Sequence, residues 1–258
     1  MSRPSVSLAS AAREYGRAGL YGLLTPQGNP TAEPEMRILL PTQSSLLCAR
    51  LTSGAADQRR RLTEYFERLP AFVEQFDRIA FDAVGFACTG SSYGLDAEQE
   101  RIALGEIETR KGYCVITAAA AVEQAFRALA IRAIALVSPY PPWLTEACRA
   151  HWVRRGLRVT MTLQLEPASP AQPIYAHTTP ALLERLDGLD ARGADAVLFT
   201  GTGMPSLRAL QPLEAACGMP VLSCNLCLAW ALAKVTGAAR PGAESRLYGG
   251  WADRLAAS

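Results

Sequence analysis

The sequence predicts an α/β protein made of two similar halves, each built around a parallel β-sheet. Short apolar, β-branched segments alternate with longer amphipathic ones, a pattern typical of strands alternating with helices. The strand segments are continuously apolar, as expected where helices cover both faces of a parallel sheet. One residue pattern also occurs twice at a fixed offset, which indicates an internal duplication.

The predicted elements follow residues 1–18, which we interpret as a loose or helical N-terminal extension. The short apolar segments are predicted as strands: Leu20–Thr25, Leu46–Leu51, Ala83–Ala87, Tyr113–Ile116, Ala133–Val137, Leu157–Leu163, Ala196–Thr200 and Pro220–Ser223. The longer segments between them are predicted as helices: Gln58–Ile79, Ala97–Arg110, Ala118–Leu129, Pro142–Arg155, Thr179–Leu186, Ser206–Ala216 and Asn225–Val235.

The internal repeat relates two strand-and-turn segments early in the chain to two later ones. Asp82–Gly90 matches Asp195–Gly203 at an offset of 113, with Asp, Ala, Val, Phe, Thr and Gly shared. The same offset relates Leu24–Gln27 to Val137–Tyr140. We therefore expect two flavodoxin-like halves about a pseudo-two-fold axis, with the carboxyl ends of both sheets lining one ligand-binding cleft. The predicted domains are residues 1–18 (extension), 19–117 with 225–258 (first half) and 118–224 (second half).

Composition limits the chemistry and the partners. Lys plus Arg number 26 and Asp plus Glu 24, so the net charge of +2 indicates neither a nucleic-acid nor a membrane-binding surface. Two His exclude a three-histidine zinc site, and two Lys leave few candidates for a Schiff base. No apolar core of a signal peptide precedes Arg13, so we expect a cytoplasmic protein whose seven Cys are reduced. Catalysis would then depend mainly on thiols, carboxylates, hydroxyls and backbone amides.

Cys88 is the cysteine whose position favours reactivity. It lies between a predicted strand and the turn Thr89-Gly90-Ser91, ahead of a helix predicted to begin near Asp96. Free N–H groups in such a turn bind anions and lower the pKa of a thiol, so we expect a thiolate at Cys88. The alternative is an ordinary buried cysteine at a strand end.

Further polar residues follow other strands that end at the same edge. Asn29 lies in the turn after the first strand, and Tyr140 follows Ser138-Pro139. Asn29 can hold a carboxylate or only form the turn, and Tyr140 can donate a proton or only border the cleft. Gly201-Thr202-Gly203 is the repeat partner of Cys88-Thr89-Gly90 and offers a second amide-rich turn without a thiol.

Other motifs favour structural roles. Cys224-Asn225-Leu226-Cys227 has the spacing of a redox pair, but it stands at a strand-to-helix junction without further metal ligands. His151 is expected to pack or face solvent on a helix. His177 lies in a loop that can reach the cleft. Arg59-Arg60-Arg61 is interpreted as a solvated helix face.

The order of these motifs resembles the aspartate/glutamate racemase superfamily, in its maleate cis–trans isomerase and arylmalonate decarboxylase branch. The resemblance runs from about Leu20 to Val235 and rests on these segments: Pro26–Asn29, Ala87–Ser91, Ser138–Tyr140, Gly201–Gly203 and Pro220–Asn225. It implies two halves around a cleft and catalysis without a metal or organic cofactor. Family isomerases and racemases carry one cysteine per half, and the decarboxylases keep only that of the second half.

The resemblance also implies roles for individual residues. Cys88 would be the nucleophile or base, with Tyr140 and Asn29 binding substrate and stabilising negative charge. Thr89, Gly90 and Ser91 would bind one carboxylate, and Gly201, Thr202 and Gly203 the other. Gly201 departs from the isomerase pattern, because the second cysteine is missing there.

The resulting prediction is a cysteine-dependent enzyme acting at the α-carbon of a small carboxylate or dicarboxylate, first of all a maleate-type isomerase. A thiol adding reversibly to an alkene needs only one cysteine, provided that Tyr140 or water moves the proton. The alternatives are a decarboxylase, lyase or racemase-like enzyme, and an inactive paralogue that binds carboxylates. A CxxC redox protein is a further possibility, and family members usually assemble, so a homo-oligomer is possible.

Overall fold

A computed structural model describes residues 13–258 of the chain. Residues 1–12, most of the predicted extension, lie outside the described residues. Residues 13–18 form bends and a turn rather than a helix, and Arg13 pairs with Asp82 at 2.8 Å.

Eight strands form two four-stranded, all-parallel sheets. They are β1 (Gly19–Pro26), β2 (Ser44–Leu51), β3 (Ala83–Phe86), β4 (Cys114–Thr117), β5 (Ala133–Ser138), β6 (Arg158–Gln164), β7 (Ala196–Phe199) and β8 (Val221–Ser223). The first sheet has the order β2-β1-β3-β4 and the second the order β6-β5-β7-β8. This equality of order confirms the predicted α/β fold of two pseudo-symmetric halves.

Helices connect the strands. They are α1 (Ala32–Leu39), α2 (Gln58–Glu67), α3 (Leu69–Phe72), α4 (Thr89–Ser92), α5 (Ala97–Lys111), α6 (Ala118–Ala128), α7 (Pro142–Arg154), α8 (Thr179–Leu186), α9 (Leu207–Cys217), α10 (Cys224–Val235) and α11 (Ala252–Ala256). Helix α10 follows the second sheet in the chain but packs against α1, β3 and β4 of the first half and against α6, which follows β4.

The repeated aspartate has the same structural role in both halves. Asp82 accepts a hydrogen bond from the N–H of Leu20 at 2.7 Å, where β1 begins. Asp195 accepts bonds from the N–H groups of Arg132 and Ala133, both at 2.8 Å, where β5 begins. Asp82, just before β3, thus fixes the start of β1, and Asp195, just before β7, fixes the start of β5. This shared role accounts for the aspartate that is common to both repeats.

Three local predictions differ from the structure. The helix predicted over Gln58–Ile79 is broken, because Pro70 lacks an N–H and its ring clashes with the carbonyl four residues earlier. Helix α2 ends at Glu67, and after α3 the chain continues as a 3-10 turn at Val73–Phe76. Helix α1 was not predicted. The turn after Cys88, predicted as a loop, is the single helical turn α4.

Candidate active site

A cavity of about 100 Å³ lies at the carboxyl ends of the strands of both sheets, between the halves. Its walls come from the segments that follow β1, β3, β5, β6 and β7, together with one face of α2. They are Pro26, Asn29, Gln58, Arg61, Leu62, Tyr65, Cys88, Thr89, Gly90, Tyr140, Leu144, Ile174, Tyr175, Thr202 and Gly203. The structure thus brings seven of the nine predicted site residues to one cavity wall: Asn29, Cys88, Thr89, Gly90, Tyr140, Thr202 and Gly203. The other two, Ser91 and Gly201, lie directly behind it.

Cys88 is buried, with 5% of its surface exposed, and forms the N-cap of α4. The hydroxyl of Ser91 donates to its Sγ at 3.2 Å, and the N–H groups of Gly90 and Ser91 lie near the sulphur. Burial nevertheless raises the pKa of the Cys88 thiol, and these three neighbouring donors offset that effect only in part. The expectation of a resting thiolate is therefore wrong, because desolvation of the negative charge outweighs the amides.

The turn after Cys88 also affects the thiol. The N–H groups of Gly90 and Ser91 lower the pKa of Cys88 and so favour its thiolate form, and their binding of a substrate carboxylate stays a prediction. Gly90 lies under α2, where an added Cβ would come within 3.2 Å of the Leu62 side chain. This close approach holds α2 against α4 over the cavity.

Asn29 is held by the helix that it caps. Its Oδ1 accepts hydrogen bonds from the N–H groups of Thr31 at 2.9 Å and Ala32 at 3.0 Å, at the start of α1. Its Nδ2 then points across to the second half and donates to Thr202 Oγ1 at 3.3 Å. Thr202 Oγ1 in turn donates to the carbonyl of Ala87 at 2.7 Å. The Asn29 amide therefore presents a fixed donor at the junction of the halves.

Tyr140 and Thr89 form a second polar pair in the cavity. Tyr140 Oη and Thr89 Oγ1 lie 3.0 Å apart, and burial raises the pKa of Tyr140 well above its ordinary value. The phenol is therefore neutral at physiological pH and able to donate. Thr89 and Thr202, identical in the repeat, both place their hydroxyls at the junction.

Gly201 occupies the position equivalent to Cys88, and its surroundings leave no space for a side chain. Its φ is +92°, in the region that favours glycine, and an added Cβ would lie 3.0 Å from Tyr140 Oη. The Tyr140 ring thus fills the volume that a side chain at position 201 would enter. Gly203 is similarly covered, since an added Cβ would lie 2.5 Å from Cε1 of Tyr175.

Arg61, Tyr65 and Tyr175 also line the cavity, and the sequence reasoning missed them. The interpretation of Arg59-Arg60-Arg61 as a solvated face holds for the exposed Arg59 and Arg60 but is wrong at Arg61, which is partly buried and reaches the cavity. The exposed Arg59 also stacks on the Trp143 ring at 4.1 Å. The signal was the helical spacing of Gln58, Arg61, Leu62 and Tyr65 (positions i, i+3, i+4 and i+7), which marks one face of α2.

A buried carboxylate connects α1 to the second-half turn. Glu35 Oε1 accepts hydrogen bonds from the N–H groups of Ser206 at 3.0 Å and Leu207 at 3.1 Å, and its Oε2 accepts one from Asn225 Nδ2 at 2.7 Å. Asn225 Nδ2 also donates to the carbonyl of Thr202 at 3.0 Å. Burial raises the pKa of Glu35, while these three donors lower it. The network fixes the Thr202 turn against the first half.

The remaining cysteines and histidines lie outside the cavity wall. Cys224 and Cys227 are free and fully buried on α10, and burial raises the pKa of Cys224 to about 12. His151 packs between Tyr93 and Trp152, and burial lowers its pKa to about 3. His177 lies in a partly buried loop away from the cavity.

Residues 13–258 contain neither a membrane-spanning helix nor a cluster of metal ligands. No helix among them is both long and apolar enough to cross a bilayer. No three His, Cys, Asp or Glu side chains in this part of the chain cluster as a metal site would require.

Comparison with known proteins places this architecture in a family. The family model described as arylmalonate decarboxylase matches residues 54–248. The chain is 28% identical over 247 residues to maleate isomerase of Pseudomonas putida KT2440, covering 89% of this chain and 97% of that relative.

Solved structures have the same fold at lower identity. The maleate isomerase of Pseudomonas putida S16 superposes with a TM-score of 0.78 at 22% identity, covering 90% of this chain and 98% of that one. A cysteine-to-serine mutant of maleate cis–trans isomerase from Nocardia farcinica, with a covalently bound succinylcysteine intermediate, has a TM-score of 0.73 at 22% identity, with coverages of 85% and 93%. These matches confirm the branch that the motifs resemble, and the chain belongs to the arylmalonate decarboxylase family.

Proposed function

We propose that this protein is a cofactor-independent cis–trans isomerase of maleate-type dicarboxylates, with Cys88 as the nucleophile. The observation that carries the proposal is the presence of the Cys88 thiol and the neutral Tyr140 phenol in the same cavity, on equivalent edges of the two sheets. Cys88 is the only thiol among the described residues of the wall, and Tyr140 closes the space beside Gly201. Relatives named maleate isomerase support the same chemistry.

Reversible thiol addition is the reaction that suits this arrangement. The Cys88 sulphur bonds to one alkene carbon, and the alkene electron pair moves to the other carbon and its carboxylate. The thiol proton reaches that second carbon through Tyr140, which gives a saturated thioether. Rotation about the new single bond and reversal of these steps break the C–S bond, return the proton to sulphur and release the trans diacid.

Fixed neutral donors surround the carbon that takes up negative charge. The amide of Asn29 and the hydroxyls of Thr89 and Tyr140 are buried and held by partners on both halves. Donors that are already oriented in a dry site stabilise an enediolate more than water does, because they need not reorganise. The N–H groups near Cys88 favour the negative charge on its sulphur while the proton moves from the thiol through Tyr140 to the second carbon.

The size of the cavity favours a small aliphatic diacid. Its volume is about 100 Å³, whereas a cavity of about 150 Å³ is what holds benzene alone. An arylmalonate adds two carboxylates to such a ring. Decarboxylation of a malonate, with Cys88 protonating the enediolate, is nevertheless the second candidate, because the matching family model is named for that activity.

The experiment assays the full chain before and after dialysis against EDTA. Maleate and phenylmalonate are tested in parallel, and the products are identified by proton NMR. We expect fumarate from maleate and no phenylacetate from phenylmalonate, with activity unaffected by EDTA. Phenylacetate alone would establish the decarboxylase instead. Binding of a diacid without turnover of either substrate would identify a carboxylate-binding protein, and activity lost to EDTA and restored by a metal would contradict cofactor independence.

A further inference from the structure

Arg61 is the only charged side chain among the described residues that line the cavity. Every other polar group of the wall is an amide, a hydroxyl, a phenol or the Cys88 thiol. A maleate-type diacid carries two negative charges at neutral pH, so this cation is the one wall residue that matches its net charge.

The guanidinium of Arg61 is held in place without being neutralised. Its Nε and Nη2 donate to the carbonyl of Ala55 at 3.2 and 3.1 Å, and Nη2 also donates to that of Ala56 at 3.3 Å. Within residues 13–258 it forms no ion pair, and its Nη1 has no hydrogen-bond partner. Carbonyls thus orient the group while its formal charge and one amino group stay available.

The two arginines before it show a different arrangement. Arg60 is paired with Glu64 at 2.9 Å and with Glu67 at 3.5 Å on the exposed side of α2. Arg59 lies over the Trp143 ring of α7. One of three consecutive arginines therefore faces the cavity with no counter-charge, beside the buried ring of Tyr65 and the partly buried ring of Tyr175.

We propose that Arg61 binds the substrate carboxylate farther from the carbon that Cys88 attacks, and so selects dianionic diacids over their monoamides. The inference rests on the proposed function for the identity of the reaction. A guanidinium forms charge-assisted hydrogen bonds with a carboxylate, and these strengthen where apolar rings exclude water. The neutral donors Asn29 and Tyr140 then bind the carboxylate that takes up charge during addition.

The test compares Arg61→Gln with the matched control Arg60→Gln, which changes an exposed, paired arginine one residue away. For Arg61→Gln we expect kcat/KM for maleate to fall about 10- to 100-fold, while that for maleamate, the monoamide, changes less than about threefold. Arg60→Gln should leave both values near those of the parent. An equal loss for both substrates in Arg61→Gln would mean that the arginine only supports the fold, and would overturn the proposal.

A binding measurement keeps this test separate from the question of turnover. Succinate has no double bond to isomerise, and succinamate is its monoamide. By calorimetry we expect the parent and Arg60→Gln to prefer succinate, and Arg61→Gln to lose that preference. If maleate is not turned over but this pattern holds, the isomerase proposal fails and the role of Arg61 stands. If the parent does not prefer succinate, the role of Arg61 is wrong.

Discussion

The turn after β3 and the turn after β7 are repeat partners, but a different side chain fills the space at the end of each strand. After β3, Cys88 carries the side chain, and Gln27, the partner of Tyr140, turns outward to exchange hydrogen bonds with the backbone of Ser53. After β7, Gly201 has no side chain, and Tyr140 turns inward over it.

The two halves therefore differ at two positions of the repeat. In the first half the strand ends in the Cys88 thiol and Gln27 points outward, and in the second half the strand ends in Gly201 and the Tyr140 ring points inward. One edge of the cavity therefore presents a thiol and the other a phenol, although both derive from the same repeat. Under the proposed function, this difference places the Tyr140 phenol as a proton carrier where a second thiol would otherwise lie.

Removing the thiol should have the largest effect. Cys88→Ala deletes the nucleophile, so we expect fumarate formation from maleate to fall at least about 10³-fold. Cys217→Ser, a partly exposed cysteine on α9, is the control and should retain parental rates. Residual activity of Cys88→Ala above about a tenth of the parent would show that another group performs the addition.

Removing the phenol hydroxyl should come next. Tyr140→Phe keeps the ring over Gly201 but removes the proton carrier, and we expect kcat to fall about 10²-fold with little change in stability. The matched control is Tyr113→Phe, because the Tyr113 hydroxyl is buried without a hydrogen-bond partner among the described residues. An unchanged kcat in Tyr140→Phe would reduce Tyr140 to a space-filling role.

Adding a side chain at Gly201 tests whether the Tyr140 ring fills the space beside it. Gly201→Cys imposes a positive φ on a cysteine and places its Cβ against Tyr140, so we expect a loss of about 2 kcal/mol in the free energy of unfolding. Gly28→Cys is the control, since an added Cβ there meets nothing within 4 Å.

The double variant Gly201→Cys with Tyr140→Gln copies the first-half pair into the second half. In urea titrations it should lose less stability than the two single variants added together, because removing the Tyr140 ring also removes the clash with the added Cβ. Equal stability of Gly201→Cys and Gly28→Cys would contradict the statement that the Tyr140 ring fills the space beside Gly201.

The smallest effect concerns the hydrogen bond on the thiol. Burial raises the pKa of Cys88 above its ordinary value of 9.0, so the thiolate fraction grows with pH and should inflect above pH 9. Ser91→Ala removes a bond that lowers this pKa, which should move the inflection further up and slow iodoacetamide labelling at pH 8 about fivefold. Peptide mapping measures the labelling of Cys88 at each pH, and Ser53→Ala, which removes a hydroxyl outside the cavity wall, is the control variant. An inflection below pH 9 would contradict both statements.

The strands of both sheets could be predicted from the sequence, whereas part of the cavity wall could not. Cys88, Asn29 and Tyr140 follow strands directly, so parallel topology alone brings them to one edge. Arg61 and Tyr175 come from a helix and from a long segment after β6, and only tertiary packing decides which of their faces meets the cavity. Likewise α1 escaped prediction because it is short and contains Pro34, which is tolerated only in a first turn.

Glu35 has a consequence for how substrate enters. It joins α1 to the start of α9 and to Asn225 of α10, and Thr31 Oγ1 adds a bond to the carbonyl of Gly203 at 2.6 Å. Parting the two halves would break these buried hydrogen bonds together. We therefore expect a hinge that is locked at this side, so that access to Cys88 depends on movement of α2 or of the segment that carries Tyr175.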